Sequence, residues 1–121
     1  MEFTFDNVRP IYVQLVEQLE KYIVNGKLKP GERLPSVREL ALFTKVNPNT
    51  MQKALGELET IGLIYTERTN GKFVTNDAKL IKNRGEKYAH ELASNYLNKM
   101  DELGYSPEEA KTYLNKLGET K

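Results

Sequence analysis

Apolar residues recur at helical spacing in Ile11, Tyr12, Leu15, Val16, Leu19 and Ile23, and Pro10 ahead of them stands where a missing N–H costs nothing. This predicts a first helix closed by Gly26. Leu28-Lys29-Pro30-Gly31 reads as a turn, because proline presets its own φ and glycine accepts conformations other residues avoid. Ser36 and Glu39 then have capping-box spacing ahead of Leu40, Ala41 and Leu42, which predicts a short second helix broken by Val46-Asn47-Pro48. A third helix follows, with Pro48 as its first residue and Met51, Ala54, Leu55, Leu58 and Ile61 as its inward stripe. Gly62 stops it.

The period then changes. Leu63 to Thr69 and Lys72 to Thr75 are rich in β-branched and aromatic residues and flank Asn70-Gly71, a two-residue hairpin signal. A lone hairpin is marginal in water, so this one is expected to lean its apolar side on the helices. From about Ala78 a long amphipathic helix carries Ile81, Tyr88, Leu92, Tyr96, Met100 and Leu103 and ends at Gly104. Ser106-Pro107-Glu108-Glu109 is a second capping box, and Ala110, Tyr113, Leu114 and Leu117 give a final short helix. The expected fold class is mainly α with a small β-hairpin: a winged helix-turn-helix over residues 1–76, then a two-helix C-terminal dimerisation tail over residues 77–121.

Composition narrows the functions this fold can serve. A chain of 121 residues with no cysteine excludes a disulfide framework, a thiolate metal site and a cysteine nucleophile. His90 is the single histidine and has no metal-ligand spacing around it, so no metal or cofactor is expected. No glycine loop cradles a phosphate and no carboxylate pair has a recognisable arrangement, so the chain does not read as an enzyme. No apolar run approaches a membrane span and the first residues do not resemble a signal peptide, which makes the cytoplasm the expected location. The net charge of +1 does not announce a nucleic-acid partner. Local placement does: from Arg33 to Lys53 the cations Arg33, Arg38, Lys45 and Lys53 face the single acid Glu39.

Pro10-Ile11-Tyr12, Gly26-Lys27-Leu28-Lys29-Pro30-Gly31, Arg33 to Ala41, Val46-Asn47-Pro48-Asn49-Thr50 and Gly62-Leu63-Ile64 stand in the order found in GntR-family regulators. The chain resembles that family, and the resemblance implies a winged helix-turn-helix and bacterial transcription control. The residues after the wing are too few for the large effector or aminotransferase-like domains of other branches. They look like the short YtrA-type branch, whose tail serves dimerisation and whose members are often linked to transporter operons.

The expected partner is double-stranded operator DNA, with affinity from phosphate neutralisation and specificity from base edges. The family's pattern makes Arg38 the leading base or phosphate contact; the alternative is a surface arginine paired to a carboxylate. Asn49 and Thr50 are expected readers, while Asn47 is either a reader or only a cap. Gln52 lies one turn on, and Lys53 is expected to contact phosphate. Ser36 can cap and donate to phosphate at once, and Arg33 is expected to clamp the backbone. In the wing, Asn70 and Gly71 form the tip, with Arg68 or Lys72 supplying charge at the minor groove. Tyr88, Leu92, Tyr96, Met100 and Leu103 are the expected homodimer contacts; the alternative is that this stripe packs back on its own DNA-binding domain. A winged helix used for protein contact is the competing reading, but it gives no reason to gather Arg38, Asn49 and Lys53. The residues do not identify a small-molecule effector.

Overall fold

The computed structural model describes residues 1–119; Thr120 and Lys121, the end of the expected tail, lie outside the described residues. The elements are α1 (Ile11–Val24), α2 (Val37–Thr44), α3 (Pro48–Ile61), β1 (Ile64–Glu67), β2 (Gly71–Val74), α4 (Ala78–Glu102) and α5 (Pro107–Glu119). The chain divides into a compact unit Met1–Gly85 and a second one beginning at Glu86. The first unit thus extends past residue 76, because Leu80 and Ile81 on the first turns of α4 pack on its core.

Local signals set most element ends. Ser36 Oγ accepts the Glu39 N–H at 3.1 Å and the Glu39 carboxylate accepts the Ser36 N–H at 3.1 Å, so the capping box that starts α2 is complete. Asn47 caps α3 by accepting the Asn49 N–H at 2.8 Å, with Pro48 behind it in the first turn. Gly62 ends that helix in the left-handed region. The helix α2 stops at Thr44, just ahead of the expected break, and Lys45 takes φ 58°, a conformation usually left to glycine or asparagine. Only Lys45 and Val46 then separate α2 from the Asn47 cap, which keeps the turn of the helix-turn-helix short.

The stripes of α1 and α3 meet in the core. Leu15, Leu19 and Ile23 from α1 and Met51, Ala54, Leu55 and Leu58 from α3 are fully buried, and Leu40 of α2 joins them. The hairpin closes the remaining side with Ile64 and Val74, which pair across its strands; on its outer face Tyr65 stacks on Phe73 with centroids 5.6 Å apart. The two-residue turn expected at Asn70-Gly71 is corrected. Glu67 pairs with Gly71, so Arg68, Thr69 and Asn70 form the turn, closed by the Asn70 N–H on the Glu67 carbonyl at 3.2 Å. Gly71 opens β2 at φ 100°. The segment before α2 also joins the sheet: the Leu34 N–H donates to Lys72 O at 2.8 Å and the Val74 N–H to Glu32 O at 2.9 Å.

Two features hold the outside of this unit. The N-terminal arm lies along α1, with Gln14, Gln18 and Tyr22 hydrogen-bonding the backbone N–H and carbonyl of Asp6, Thr4 and Glu2 respectively. The register matches because four helical residues rise about 6 Å while two extended residues span about 6.6 Å. Phe3 on the other side of the arm meets Tyr22 and Phe43 edge-on, bridging α1 to α2. The second feature is a two-pronged ion pair in which Arg84, from the start of α4, donates through Nε and Nη2 to the Glu20 carboxylate of α1. Glu20 is 1% exposed. Gly85 beside it permits the close approach, since a Cβ there would fall 2.9 Å from Val24 Cγ1.

The second unit is a helical hairpin. Gly104 turns the chain in the left-handed region, Ser106 and Glu109 form the expected capping box, and the Tyr96 hydroxyl donates to the Ala110 carbonyl at 2.7 Å. Hydrogen bonds from the Ser106 N–H, then from its side chain, hold the Glu109 carboxyl below the usual carboxylate range.

Candidate nucleic-acid interface

The short turn between α2 and α3 and the pairing of residues 32–34 with β2 carry the basic residues into three neighbouring places. Arg38 and Lys45 stand at the first, beside the turn, where they line a recess of about 450 Å³ with Leu42, Val46 and Pro48. Arg38 is exposed and forms no ion pair among the described residues, so the alternative of an arginine neutralised by a carboxylate has no support here.

The start of α3 is the second place. Asn49 and Gln52 are exposed, and their side-chain amides make no hydrogen bond among the described residues; Thr50 is half-buried between them in sequence. Asn47 is committed to capping, its Oδ1 taking the Asn49 N–H. A capping oxygen still has a second lone pair, but its geometry is fixed by the helix rather than by a base edge. Lys53 lies over the Tyr12 ring, 3.7 Å from its centroid.

The third place is a cleft of about 280 Å³ between the N-terminus of α2 and the wing, lined by Arg33, Ser36, Thr66, Arg68 and Gly71 among others. Arg33 lies across Gly71, whose missing Cβ would come 3.4 Å from its Nε. The Ser36 hydroxyl accepts the Glu39 N–H at 3.1 Å, the capping half of the double role expected of it. Hydrogen bonds from the Ser36 N–H, then from its side chain, and the nearby Arg33 guanidinium hold the Glu39 carboxyl below its ordinary range. The acid within the basic segment is thereby consumed locally.

Wing charge is distributed differently from the sequence expectation. Lys72 faces α3, where its ammonium donates to Glu59 at 3.4 Å and to Thr66 Oγ1 at 2.9 Å; it braces the wing instead of charging the tip. Asn70 is also occupied, donating to Glu67 Oε2 at 3.0 Å. Arg68 is the turn's cation and is exposed. The Thr66 hydroxyl bonded to Glu59, and after it Lys72, lowers the Glu59 carboxyl from 4.5. A depressed carboxylate contributes stability that is present above its unfolded value and lost as pH falls through its folded value. An NMR titration should therefore show the Glu59 carboxylate titrating below 4.5, with the Thr66 and Lys72 amides shifting at the same midpoint; a midpoint at or above 4.5 would detach Glu59 from the wing.

Residues 11–74 match the model of the family described as bacterial regulatory proteins, gntR family. The chain belongs to the gntR family. Among its gntR-type relatives, the uncharacterized HTH-type transcriptional regulator YhcF of Bacillus subtilis is 38% identical over 109 residues, covering 90% of both chains. The HTH-type transcriptional repressor YtrA of the same organism is 47% identical over 70 residues, covering 58% of this chain and 54% of YtrA. A GntR family transcriptional regulator from Listeria monocytogenes superimposes with a TM-score of 0.86 at 39% identity, over 93% of this chain and 98% of that one. The DNA-binding domain of AraR, solved in complex with operator ORX1, matches 62% of this chain and 96% of its own, with a TM-score of 0.57 at 31% identity. The similarity to YhcF and to the Listeria regulator covers 90% and 93% of this chain, whereas that to YtrA spans about half of each protein. The gntR family consists of DNA-binding transcription regulators and not enzymes.

Two interactions in this unit lay outside sequence reasoning. The Glu20–Arg84 pair joins residues far apart in sequence and leaves no local mark. The arm on α1 does leave one, since Gln14, Gln18 and Tyr22 are spaced four apart beside an apolar stripe.

Proposed function

We propose that this gntR-family chain is a repressor that binds a palindromic operator as a homodimer, with residues 1–76 carrying DNA contact and residues 77–121 dimerisation. The observation that carries the reading is the exposed trio Arg38, Asn49 and Gln52 around the helix-turn-helix, whose side chains have no partner among the described residues. Unpartnered polar groups, Arg38 on α2 and Asn49 and Gln52 at the start of α3, suit base edges, whereas phosphate grip suits Arg33, Ser36 and Arg68 in the neighbouring cleft. Asn47, Thr50, Lys53 and the turn at Asn70 and Gly71 flank these contacts, and Lys72, which also lines the cleft, braces the wing through Glu59 and Thr66. The AraR domain that the first unit resembles was solved on operator DNA, which supports the same mode of use.

Dimerisation rests on the second unit. Ala110 is its one fully buried residue among those described, while Leu92 and Leu103 are 71% and 72% exposed. A helical hairpin of this size with no core of its own gains stability by burying such faces against another copy. Tyr88, Tyr96 and Met100 are half-buried, and Tyr96 is partly spent on binding α5; Tyr113, Leu114 and Leu117 add exposed apolar surface that the expected contact set had not included. Resemblance to short family members points to the chain's own operon, transporter genes among them, as its target, and cytoplasmic DNA as its partner. No helix among the described residues is long and apolar enough to cross a membrane.

Sedimentation equilibrium at micromolar concentration should give a dimer, and Leu92→Asp with Leu103→Asp should give a folded DNA-binding unit on a monomeric chain. A monomeric wild-type chain would overturn the dimer.

A further inference from the structure

Lys53 carries its charge on four rotatable bonds, and a free lysine loses that mobility when it grips a phosphate. Here the ammonium is already placed, 3.7 Å from the centroid of the Tyr12 ring. The two residues come from different helices, Tyr12 from the first turn of α1 and Lys53 from the second turn of α3. Their contact is therefore a product of the α1–α3 core, not of sequence proximity. Lys53 is exposed and forms no ion pair among the described residues, and the Tyr12 hydroxyl makes no hydrogen bond among them.

A ring face attracts a cation through its quadrupole and accepts no conventional hydrogen bond. A carboxylate partner would neutralise the lysine and compete with DNA; an aromatic one leaves the charge and the N–H donors for an outside anion. We propose that Tyr12 is a positioning residue for DNA binding, holding the Lys53 ammonium ready for a backbone phosphate. This rests on the reading of the chain as a DNA-binding regulator. Tyr12 acts through Lys53, and its own hydroxyl is dispensable.

The test is a double-mutant cycle read by fluorescence anisotropy, with the full chain titrated onto a labelled mixed-sequence duplex long enough for two half-sites. Lys53→Ala should weaken binding and reduce the slope of log affinity against log salt by about one. Tyr12→Leu should weaken binding about threefold in the wild-type background and leave it unchanged in the Lys53→Ala background. Tyr12→Phe should bind like the wild type, because the ring is kept. Tyr12→Met serves as a second ring-free variant should Tyr12→Leu fold poorly. Equal losses from Tyr12→Leu in both backgrounds, or a loss from Tyr12→Phe as large as that from Tyr12→Leu, would overturn the proposal, as would wild-type binding by Tyr12→Leu. If Lys53→Ala weakens binding and Tyr12→Leu does not, the DNA-binding reading stands and the positioning role falls. Failure of the wild-type chain to bind any duplex would bring down the reading beneath it.

Discussion

Arg84→Ala should lower the stability of the DNA-binding unit by about 3 kcal/mol or more, the largest single-residue effect expected outside the apolar core. The reason lies in the carboxylate it leaves behind. Glu20 is 1% exposed on the inner side of α1, and Arg84 reaches it with both Nε and Nη2. Removing the guanidinium leaves a charge in a place where water cannot replace it well, and that desolvation cost exceeds the worth of the pair itself. The two effects separate experimentally. Replacing both partners with apolar residues of similar length, Glu20→Met with Arg84→Met, should recover most of the loss. Urea unfolding should show a lower midpoint for Arg84→Ala at an unchanged slope, and the double variant should return toward the wild type. A single variant as stable as the wild type would show that the pair does not hold the root of α4 to α1.

The second large effect concerns recognition. Arg38→Ala should cost about 1–3 kcal/mol of binding to the preferred operator while leaving binding to unrelated duplex nearly unchanged. Arg38 stands in the first turn of α2, exposed and without an ion pair among the described residues, so no internal interaction is lost with it. A guanidinium can meet guanine O6 and N7 together, whereas an ammonium offers only a point charge. Arg38→Lys should therefore recover little of the discrimination. A uniform loss on all duplexes would make Arg38 a phosphate contact, and no loss would remove it from the interface.

What the chain discloses before folding follows the range of each interaction. Ser36 with Glu39, Asn47 with Pro48, Gly62, and Ser106 with Glu109 act within a turn of helix, and each lies where its spacing implies. The five helices and the hairpin were legible for the same reason, since apolar periodicity is a local property. The turn was not: Asn70-Gly71 favours a two-residue connection, but pairing Ile64 with Val74 in the core sets a longer one. Lys45 shows the same override, because the short turn between α2 and α3 demands a left-handed residue where the sequence offers no glycine. Lys72 has alternation appropriate to a wing cation, yet the partner that claims it, Glu59, sits on another element. In the interface, residue types pointed to the basic segment and the start of α3. Which of those residues are free for a partner, as with Asn49, and which are occupied, as with Asn47 and Asn70, depends on hydrogen bonds that the folded chain alone reveals.

The most direct test of the proposed function is selection of duplexes from a random-sequence pool by the full chain at physiological salt. The expected result is enrichment of one palindromic sequence whose half-sites lie about one helical turn, roughly 10 base pairs, apart. Recovery of duplexes with no common sequence would contradict it.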